Sequence, residues 1–450
     1  MKMLLIALDE RIVNCVLRNT DWNIEVLIVP NEFIKSRFVK IGRIRNIITR
    51  KDFHDNEDFS CLDYKKIEKY WYVQLKSENF FNRFYVDYQL GKFDYYRGAA
   101  LAFKIYKEYD IDLVLVDGFN EGRPSDMLIA EIARNKKIPC YNFEVSLADK
   151  SLLYDNIAED IVPMNVEGGI DVKSSMFYHQ EFNGVEKALI YQNPILKNKY
   201  IKKLESVVYR LGGEIAVDFF SCIYTFSNRK NQIGLTFSER VCRFINAKKV
   251  LSYVNKIAIM PNYKDKYVFF SLHFEPEATI SGRGLIDSQL AALKMLSQAL
   301  PKEWKIYVKE HPHQFSVNTR QLYGYPVATF KTKRFYDEIL KLKNVVFIKT
   351  DIKSKELIEQ SEAVATLSGT SIIEAITLQK PVVVFAPSRV FYKKIKDVNK
   401  VYSYEDCKKA IDLIVDGFRP KYDDFKEICD KYLFDCNYDG YSRAISKLKN

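Results

Sequence analysis

Cysteine and histidine are scarce and scattered in this sequence. Its 450 residues include eight cysteines and five histidines, with no CxxC pair and no Cys/His spacing typical of a metal site. Regular spacings of these residues mark most zinc sites, and paired cysteines mark most disulfide frameworks. We therefore predict free thiols in a reducing cytoplasm, and no metal site.

Long apolar runs are also absent. The N-terminal MKMLLIALDE has too short an apolar stretch for a signal peptide, and it predicts a first buried strand. No run of about 18 apolar residues occurs, so no transmembrane helix is predicted. The nearest approach, Ile215–Phe226, contains Asp218 and predicts a core helix. We expect a cytoplasmic protein, whose contact with the inner membrane would be peripheral.

The glycine motifs of common nucleotide-binding loops are missing. There is no GxxxxGK[ST] sequence, which excludes a P-loop. Gly282 and Gly284 do not form GxGxxG, because Asp287 stands where the third glycine would be. Aromatic and basic residues do not interleave as in nucleic-acid-binding motifs, so nucleic acid is not an expected partner.

Positive charge and aromatic residues are abundant. The formal net charge is +11, which suits anionic ligands or surfaces without distinguishing among them. Tyrosine and phenylalanine number 30 each and cluster between Tyr64 and Tyr109. For this cluster we favour aromatic-rich helix cores. The alternative is an acceptor surface, because aromatic faces pack well on sugar rings.

Runs of strand length alternate with helical patterns in both halves of the chain. This alternation is typical of parallel sheets with right-handed crossovers. Strands are expected at MLLIAL, EVLIVP, DLVLV and IPCYNFE in the first half, and at KYVFFS, WKIYVKE, NVVFI, AVATL and PVVVFA in the second. Ser125 is the expected N-cap of a helix after DLVLV. We predict an α/β fold class, with two Rossmann-like parallel-sheet domains facing a cleft.

The expected domain boundaries follow from where the alternation stops and resumes. The pattern turns helical and polar in the middle of the chain, and the last fifty residues are helical and charged. The predicted division is an N-terminal domain over 1–200, a helical connection over 201–264, a second domain over 265–400 and C-terminal helices over 401–450.

A polar corner follows the expected strand WKIYVKE. Lys309 lies near its end, and His311 and Pro312 follow. Pro312 fixes its own φ and biases the preceding residue away from helix, so the chain turns sharply. At the carboxyl end of a parallel strand, His311 can donate to a phosphate oxygen. Alone, the His-Pro pair is equally typical of a surface turn.

A second polar cluster, Ser368–Ser371, follows the expected strand AVATL and opens into a helix. Gly369 allows a backbone N–H to approach a ligand closely, and Ser368, Thr370 or Ser371 can cap the helix. Such a helix start suits a phosphate group. Glu374, one turn later, could accept hydrogen bonds from ribose hydroxyls. Plain helix capping is the competing interpretation.

A third cluster follows the strand that begins at Lys266. His273 and Glu275 come after that strand, and Arg283 precedes a helix. Arginine can bind an anionic group through two parallel hydrogen bonds. We predict that His273, Glu275 and Arg283 complete a donor nucleotide and phosphate site with the first two clusters.

In the first half, Asp117 and Gly118 follow the strand DLVLV. A carboxylate at a strand end that faces a cleft is a good candidate for a general base. It could deprotonate an acceptor hydroxyl. An Asp-Gly turn is an equally good interpretation, and Glu121 and Asp126 are the nearby alternatives for the base.

Two of these motifs together resemble a known family. KEHP, followed by LSGTSIIEAITLQKPVVVFAPSRVFY, is similar to the bacterial capsule polysaccharide biosynthesis proteins, including the Kdo transferases, and to bacterial sialyltransferases. The resemblance covers roughly Tyr267–Tyr392. Members are GT-B glycosyltransferases with two Rossmann-like domains and no required metal. The sialyltransferases carry an acidic-acidic-Gly motif in the first domain, of which Asp117 and Gly118 match the last two positions.

The resemblance implies roles for both domains. The first would hold a glycan or glycolipid acceptor, with Asp117 as base, and the second would hold the nucleotide-sugar donor. His311 and Pro312 would hold the nucleotide, Ser368–Ser371 would hold its phosphate, and no separate cofactor is implied. The donor is expected to carry an acidic sugar on CMP. Related enzymes of the same architecture use UDP-sugars or CDP-glycerol, and a non-catalytic member of a polysaccharide assembly complex is the alternative from another class.

Overall fold

The computed structural model describes residues 1–81, 88–118, 123–147, 150–155, 160–161, 237–275, 288–311, 314, 330–385, 387 and 390–448. The strands are β1 Lys2–Ile6, β2 Asn23–Val29, β3 Ile47–Thr49, β4 Leu113–Asp117, β5 Cys140–Leu147, β6 Lys150–Asp155, β7 Asp160–Ile161, β8 Tyr267–Ser271, β9 Lys305–Lys309, β10 Val345–Ile348, β11 Ala363–Thr366, β12 Val382–Phe385, β13 Val398–Val401 and β14 Phe434–Asp435.

The helices lie between and around these strands. The α-helices are α1 Glu10–Asn19, α2 Glu32–Phe38, α3 Arg50–His54, α4 Tyr64–Lys69, α5 Trp71–Phe81, α6 Tyr88–Glu108, α7 Ile129–Asn135, α8 Phe237–Ile257, α9 Gln289–Ala299, α10 Lys333–Leu340, α11 Ser354–Gln360, α12 Ser371–Thr377, α13 Val390–Lys394, α14 Tyr404–Val415, α15 Tyr422–Tyr432 and α16 Tyr438–Lys447. A π-helix, Pro124–Leu128, precedes α7.

The strands form two sheets. The first has the order β14-β6-β5-β4-β1-β2-β3, with β7 paired to β6. Strands β3, β2, β1, β4 and β5 run parallel, whereas β6 is antiparallel to β5 and to both β7 and β14. The second sheet, β10-β9-β8-β11-β12-β13, is parallel throughout. The prediction of two parallel-sheet α/β domains is confirmed.

The antiparallel edge of the first sheet was not predicted. Strands β5 and β6 follow each other too closely for a crossover helix, so they can pair only as a hairpin. Strands β3, β7 and β14 have only two or three residues each, which is too short to produce an alternating pattern. These strands were therefore missed.

Both faces of the second sheet are buried, as is usual for parallel sheets. In β8, Val268 and Phe270 pack on the side of α8, α9, α10 and α14, while Tyr267 and Phe269 pack on the side of α11, α12, α13 and α15. Helix α8 contributes Val250 and Val254 to this core. The packing of the second domain thus begins upstream of β8.

The last part of the chain joins the two sheets. Helix α15 places Phe425 and Cys429 in the core of the second sheet, where Leu152 and Tyr154 of β6 also pack. Strand β14 then pairs with β6, and α16 packs against α1 through the core of the first sheet. The predicted boundary near residue 200 and the predicted core helix Ile215–Phe226 lie outside the described residues.

The turn after β4 differs from the prediction at Ser125. The α-helical pattern was correct from Ile129 onward, but a π-helix occupies Pro124–Leu128. Ser125 is therefore inside a helical segment, and its Oγ donates to Asp126 Oδ1 at 2.7 Å. Arg123 stands at the N-cap position of the π-helix without a side-chain capping bond.

The aromatic cluster of the first domain divides between the two interpretations. Tyr95, Phe80 and Phe81 are buried in the core under the first sheet, as the favoured one predicts. Trp71 and Tyr64, by contrast, are 65% and 70% exposed. In the described part of the chain, no helix is long and apolar enough to cross a membrane.

Each sheet reverses its strand order once. The chain builds β1, β2 and β3 in one direction, then returns to place β4 on the other side of β1. In the second sheet β8, β9 and β10 run in one direction, and β11 is placed on the other side of β8. Open α/β sheets bind ligands at the carboxyl ends of the strands beside such a switch point.

Candidate functional site at the switch points

His273 and Ser368 meet at the switch point of the second sheet. The backbone N–H of Ser368 donates to His273 Nε2 at 2.9 Å. Because an amide nitrogen can only donate, Nε2 acts as the acceptor, and the neutral ring carries its proton on Nδ1. The Thr366 hydroxyl lies 2.9 Å from the same Nε2 and donates to the Ser368 carbonyl at 2.8 Å. His273 thus fixes the loop that contains Ser368.

The Ser368 side chain is buried, and its hydroxyl is unpaired among the described residues. It is only 3% exposed, and its Oγ has no hydrogen-bond partner within the described residues. Buried hydroxyls are normally paired, so the Ser368 hydroxyl can still make a further hydrogen bond. The sequence singled out this serine as a phosphate ligand, which stays a prediction; the structure places it just after β11, at the carboxyl edge of the sheet.

Gly369 has a φ of 103°, which favours glycine. A Cβ at this position would lie 3.1 Å from His273 Cε1, so the residue also permits close packing of the histidine. Thr370 precedes α12 in a helical conformation without a capping bond, and its Oγ1 lies 3.3 Å from Glu374 Oε1. The interpretation that the Thr370 side chain caps this helix is therefore wrong. Ser371 begins α12 and is half-buried.

Lys309 ends β9 with a buried amine, 4% exposed. Its Nζ donates to Ser354 Oγ at 3.0 Å, its one hydrogen bond within the described residues. Burial lowers the pKa of Lys309 to about 8, although Glu374, Asp351 and Glu356 act in the opposite direction. Strand β8 lies between β9 and β11 and is parallel to both, so Lys309 and the Ser368 loop share the carboxyl edge of the sheet.

Glu310, the next residue, points to the opposite face and has a structural role. It forms a fully buried ion pair with Lys331, whose Nζ donates to Oε1 at 2.8 Å. Tyr336 donates to Oε2 at 2.6 Å, and the Lys331 amine also donates to the carbonyl oxygen of His273. Through the bond from Lys331 to the His273 carbonyl, this ion pair holds the loop after β8 in place. Lys331 and Tyr336 carry no pattern that would have identified them from the sequence.

Glu275 is held by two glutamines. It accepts from Gln289 Nε2, and its backbone N–H donates to Gln314 Oε1 at 2.9 Å. Burial raises the pKa of Glu275. His311 is half-buried, with its ring 6.1 Å from that of Phe274. The structure thus brings together His273, Glu275 and His311 beside the ends of β8 and β9, while Arg283 and Pro312 lie outside the described residues.

Asp117 occupies the switch point of the first sheet, at the end of β4. Its Oδ2 accepts from the backbone N–H groups of Leu8 and Asp9, each at 2.9 Å, which ties β4 to the turn after β1. Its Oδ1 makes no hydrogen bond within the described part of the chain. Burial raises the pKa of Asp117 to about 6, against the two backbone hydrogen bonds. Gly118 takes the positive φ of a turn, at 64°.

Asp126, an alternative base in the sequence, is occupied by other contacts. It is fully buried and pairs with Arg50 at 2.5 Å, in addition to its bond from Ser125. A carboxylate neutralised in this way is a poor proton acceptor. Glu121, the other alternative, lies outside the described residues. Asp117 is thus the better candidate of the two that the structure describes.

A second acid-base pair near this edge was missed in the sequence. His54, at the end of α3, has its Nδ1 3.1 Å from Asp94 Oδ2 on α6. The His54 side chain is 34% exposed, whereas Asp94 is buried. Forty residues separate the two, and neither belongs to a recognisable motif. Only the packing of α3 against α6 brings them together.

Metal ligands do not cluster in the described ranges. No group of three or more His, Cys, Asp or Glu side chains there could hold an ion. The polar groups at both switch points are donors and isolated carboxylates instead. Fold and site together define an α/β protein with two Rossmann-like domains, each of which carries a polar cluster at its ligand-binding edge.

Comparison with protein families adds to this description. Residues 227–393 match the family described as "Capsule polysaccharide biosynthesis protein". The resemblance predicted from KEHP and LSGTS is thereby confirmed for the segment that contains both motifs. A search of curated protein sequences found no match.

Solved structures show only distant likeness. UDP-GlcNAc 2-epimerase of Methanocaldococcus jannaschii, in complex with UDP-GlcNAc and UDP, is 14% identical over 100% of this chain and 99% of its own, with a TM-score of 0.30. The beta Kdo 2,7 transferase KpsC of Thermosulfurimonas dismutans is 14% identical over 72% of this chain and 86% of its own, with a TM-score of 0.28. The fold described above rests on the sheets and not on these scores.

Proposed function

We propose that this protein is a metal-independent GT-B glycosyltransferase in the synthesis of a bacterial capsule or other surface polysaccharide. It transfers an acidic sugar, such as Kdo or sialic acid, from a CMP donor to a hydroxyl of the growing glycan. The family match supports this proposal, because the matched segment contains the whole cluster at the second switch point. The acceptor belongs to the first domain and the donor to the second.

The observation that carries the proposal is a pair of buried donor groups at the second switch point, one unpaired and one only partly paired. The buried Ser368 hydroxyl has no partner in the described part of the chain, and the buried Lys309 amine has one where an ammonium can make three. A phosphate presents several strong acceptor oxygens and can satisfy both. His311, two residues after Lys309, would hold the nucleotide and stabilise the leaving phosphate.

The transfer requires a base in addition to the donor site. The acceptor oxygen attacks the anomeric carbon, the bond from that carbon to the phosphate oxygen breaks, and CMP leaves with the electron pair. Asp117 takes the proton of the acceptor hydroxyl if the reaction inverts the anomeric centre. A pKa of about 6 leaves Asp117 ionised at neutral pH and still basic enough for this role.

A nucleotide panel tests the proposal. Thermal unfolding is measured with CMP, CMP-sialic acid, CMP-Kdo, UDP-GlcNAc and CDP-glycerol, followed by transfer assays with and without EDTA. We expect stabilisation by the CMP compounds and transfer that is insensitive to EDTA. Stabilisation by UDP-GlcNAc or CDP-glycerol alone would replace the CMP donor, and the absence of any nucleotide effect would favour a non-catalytic assembly protein.

Two variants with matched controls locate the bound nucleotide. Lys309→Met and Ser368→Ala should weaken the stabilisation by CMP. Lys380→Met and Ser361→Ala are the controls. Lys380 lies just before β12 and the buried Ser361 just before β11, at the opposite edge of the same sheet. These variants should leave the stabilisation by CMP unchanged. Equal effects of both pairs would show that the nucleotide binds elsewhere.

A further inference from the structure

His54 and Asp94 form a polar pair that the proposed transfer mechanism does not use. His54 Nδ1 lies 3.1 Å from Asp94 Oδ2, and the Phe81 ring packs edge-on against the imidazole at 5.7 Å. Because a carboxylate oxygen accepts, Nδ1 carries a proton, and Nε2 of the neutral ring keeps its lone pair. Nε2 makes no hydrogen bond within the described residues, and the His54 side chain is 34% exposed. The pair therefore leaves an unused acceptor on a ring of fixed orientation.

Both residues lie toward the carboxyl edge of the first sheet. Helix α3 begins at Arg50, directly after the last residue of β3, and it ends at His54. Helix α6 leads back to the start of β4, so its first half, which contains Asp94, lies toward the carboxyl ends of the strands. Arg50, one turn before His54, pairs with Asp126 of the π-helix that follows β4. The pair of His54 and Asp94 thus belongs to the same edge of the domain as Asp117.

The arginine beside this pair is already engaged by two carboxylates. Arg97 Nη1 lies 3.7 Å from Asp94 Oδ1, and its Nη2 pairs with Glu57. An anionic ligand would have to compete with both carboxylates for this guanidinium, in contrast to the second switch point, where Lys309 has no ion pair within the described residues. A neutral hydroxyl group needs no cation, so it suits the free Nε2 better than a phosphate does.

An exposed aromatic ring lies next to the same polar groups. Phe93 precedes Asp94 on α6 and is 40% exposed, and Arg97 Cζ lies 4.3 Å from the centre of its ring. Phe59, in the segment after α3, has its ring 5.8 Å from that of Phe93 and nearly parallel to it. Binding sites for small organic groups combine apolar surface with a few fixed polar groups. A sugar supplies both complements, with C–H groups for the aromatic surface and hydroxyls for the polar atoms.

We propose that His54 binds a hydroxyl group of the carbohydrate acceptor through Nε2, and that Asp94 positions the imidazole for this contact. The inference rests on the proposed function, to which it adds a residue that binds the acceptor, while Asp117 takes the proton. The acceptor hydroxyl donates to Nε2, and the C–H surface of the sugar lies against Phe93. A pair that only joined α3 to α6 would need the bond to Asp94 but not the free nitrogen.

Chemical protection of histidines tests the acceptor and donor sites separately in the full chain. Diethyl pyrocarbonate modifies accessible imidazoles, and mass spectrometry measures the rate at each histidine. The acceptor probes are millimolar methyl glycosides of galactose, N-acetylglucosamine, sialic acid and Kdo, and the donor probe is CMP. We expect at least one glycoside to slow the modification of His54 about fivefold and to leave His311 unchanged. CMP should protect His311 and leave His54 unchanged.

Substitutions of His54 separate binding from folding. His54→Asn keeps an N–H that can donate to Asp94 but lacks the acceptor Nε2, so it should keep the melting temperature and bind the protecting glycoside about fivefold more weakly. His54→Gln places an amide oxygen near the position of Nε2 and should bind more tightly than His54→Asn. Lys51→Gln is the control, because Lys51 is exposed on the same helix and pairs with Asp55. It should bind as the wild type does.

The role of Asp94 is read from the imidazole itself. Nitrogen chemical shifts should show the proton of His54 on Nδ1 in the wild type, and Asp94→Asn should increase the form with the proton on Nε2 and weaken glycoside binding. The proposal is wrong if no glycoside protects His54, or if His54→Asn binds as tightly as the wild type. Should His54→Asn unfold, the protection of wild-type His54 decides. Protection of His54 without protection of His311 by CMP would support the acceptor site and contradict the proposed donor, and the reverse would contradict the acceptor site alone.

Discussion

The two switch points of this molecule share a position in their sheets and differ in chemistry. At the first, a buried carboxylate is held by two backbone N–H groups, and burial raises its pKa to about 6. At the second, a neutral histidine holds a serine loop, and burial lowers the pKa of a lysine to about 8. One edge is thus suited to accept a proton, and the other to bind an anion.

Under the proposed function, this difference divides the work of a transfer reaction between the two edges. Burial destabilises the charged form of both residues, so the carboxylate becomes a stronger base and the lysine a weaker one. Neither is neutralised by an ion pair within the described residues, in contrast to Asp126 with Arg50 and Glu310 with Lys331. The buried pairs therefore serve the fold, whereas Asp117 and Lys309 keep the charges that their proposed roles need.

The largest effect should come from removing the base. Asp117→Asn keeps an oxygen that can accept from Leu8 and Asp9, so the fold should survive, while transfer should fall by roughly 10²–10⁴-fold. Initial rates and thermal stabilisation by CMP are measured together, and the latter should not change. For the wild type, kcat/KM should rise with pH through about 6, and the variant should lack this limb.

Asp110→Asn is the control, because Asp110 is exposed and pairs with Lys2 at the other end of the first sheet. It should retain the wild-type rate and pH profile. Wild-type rates in Asp117→Asn would remove the proposed base from the first switch point, and His54→Gln would then be the next variant. In that case the two edges would share a position in their sheets, but the proposed difference in their chemical roles would be lost.

The second largest effect concerns Glu310. Its replacement by glutamine leaves Lys331 as an unpaired buried charge, which should lower the free energy of unfolding by about 3–5 kcal/mol. Lys309→Met removes a buried amine without an ion pair and should leave stability within about 1 kcal/mol of the wild type. Chemical denaturation measures both.

A double variant sharpens this contrast. Glu310→Gln combined with Lys331→Met removes both charges, so much of the lost stability should return. If Glu310→Gln has the same free energy of unfolding as the wild type but loses nucleotide binding, Glu310 belongs to the ligand site. The distinction between Lys309 as a ligand residue and Glu310 as a structural residue would then be wrong.

The sequence indicates strand ends well and long-range pairs poorly. DLVLVD and AVATLS are local patterns, so Asp117 and Ser368 could be placed at sheet edges without coordinates. The partner of Glu310 lies 21 residues away with no periodic relation to it, and His54 meets Asp94 only through packing of two helices. Strand order, which creates the two switch points, is equally hard to predict from the sequence, because it depends on contacts between distant segments.

The role of His273 illustrates the same limit. Its position after β8 suggested a ligand for the nucleotide, and that prediction remains to be tested. The structure adds that its Nε2 is already engaged by the Ser368 amide, so the ring also positions the loop. Gln289 and Gln314, which hold the neighbouring turn, had no signal in the sequence.

The third prediction uses the pKa of Lys309. Below about pH 8 the free protein carries the ammonium, which an anionic phosphate favours. Above this pH the amine is neutral, and binding requires uptake of a proton. Nucleotide affinity should therefore fall by up to about tenfold per pH unit above pH 8. Calorimetry in buffers of different ionisation enthalpy measures the affinity and the proton uptake.

Lys309→Met should bind more weakly at pH 7 and lose this slope. Lys380→Met, whose native amine donates to the Ser361 carbonyl at 2.9 Å, should keep it. A slope that persists in Lys309→Met would assign the titration to another group and would leave the second switch point without its cation.

The smallest effect should come from Ser368→Ala, and it is the most specific. The hydroxyl has no partner in the described residues, so its loss should leave the free energy of unfolding nearly unchanged. One hydrogen bond to a phosphate oxygen contributes about 1 kcal/mol, so CMP should bind roughly fivefold more weakly. Ser361→Ala removes a satisfied buried hydroxyl and should show the opposite pattern, with a lower melting temperature and unchanged binding. If Ser368→Ala destabilises the protein instead, its hydroxyl serves the fold as Glu310 does, and the anion site must be sought elsewhere along this edge.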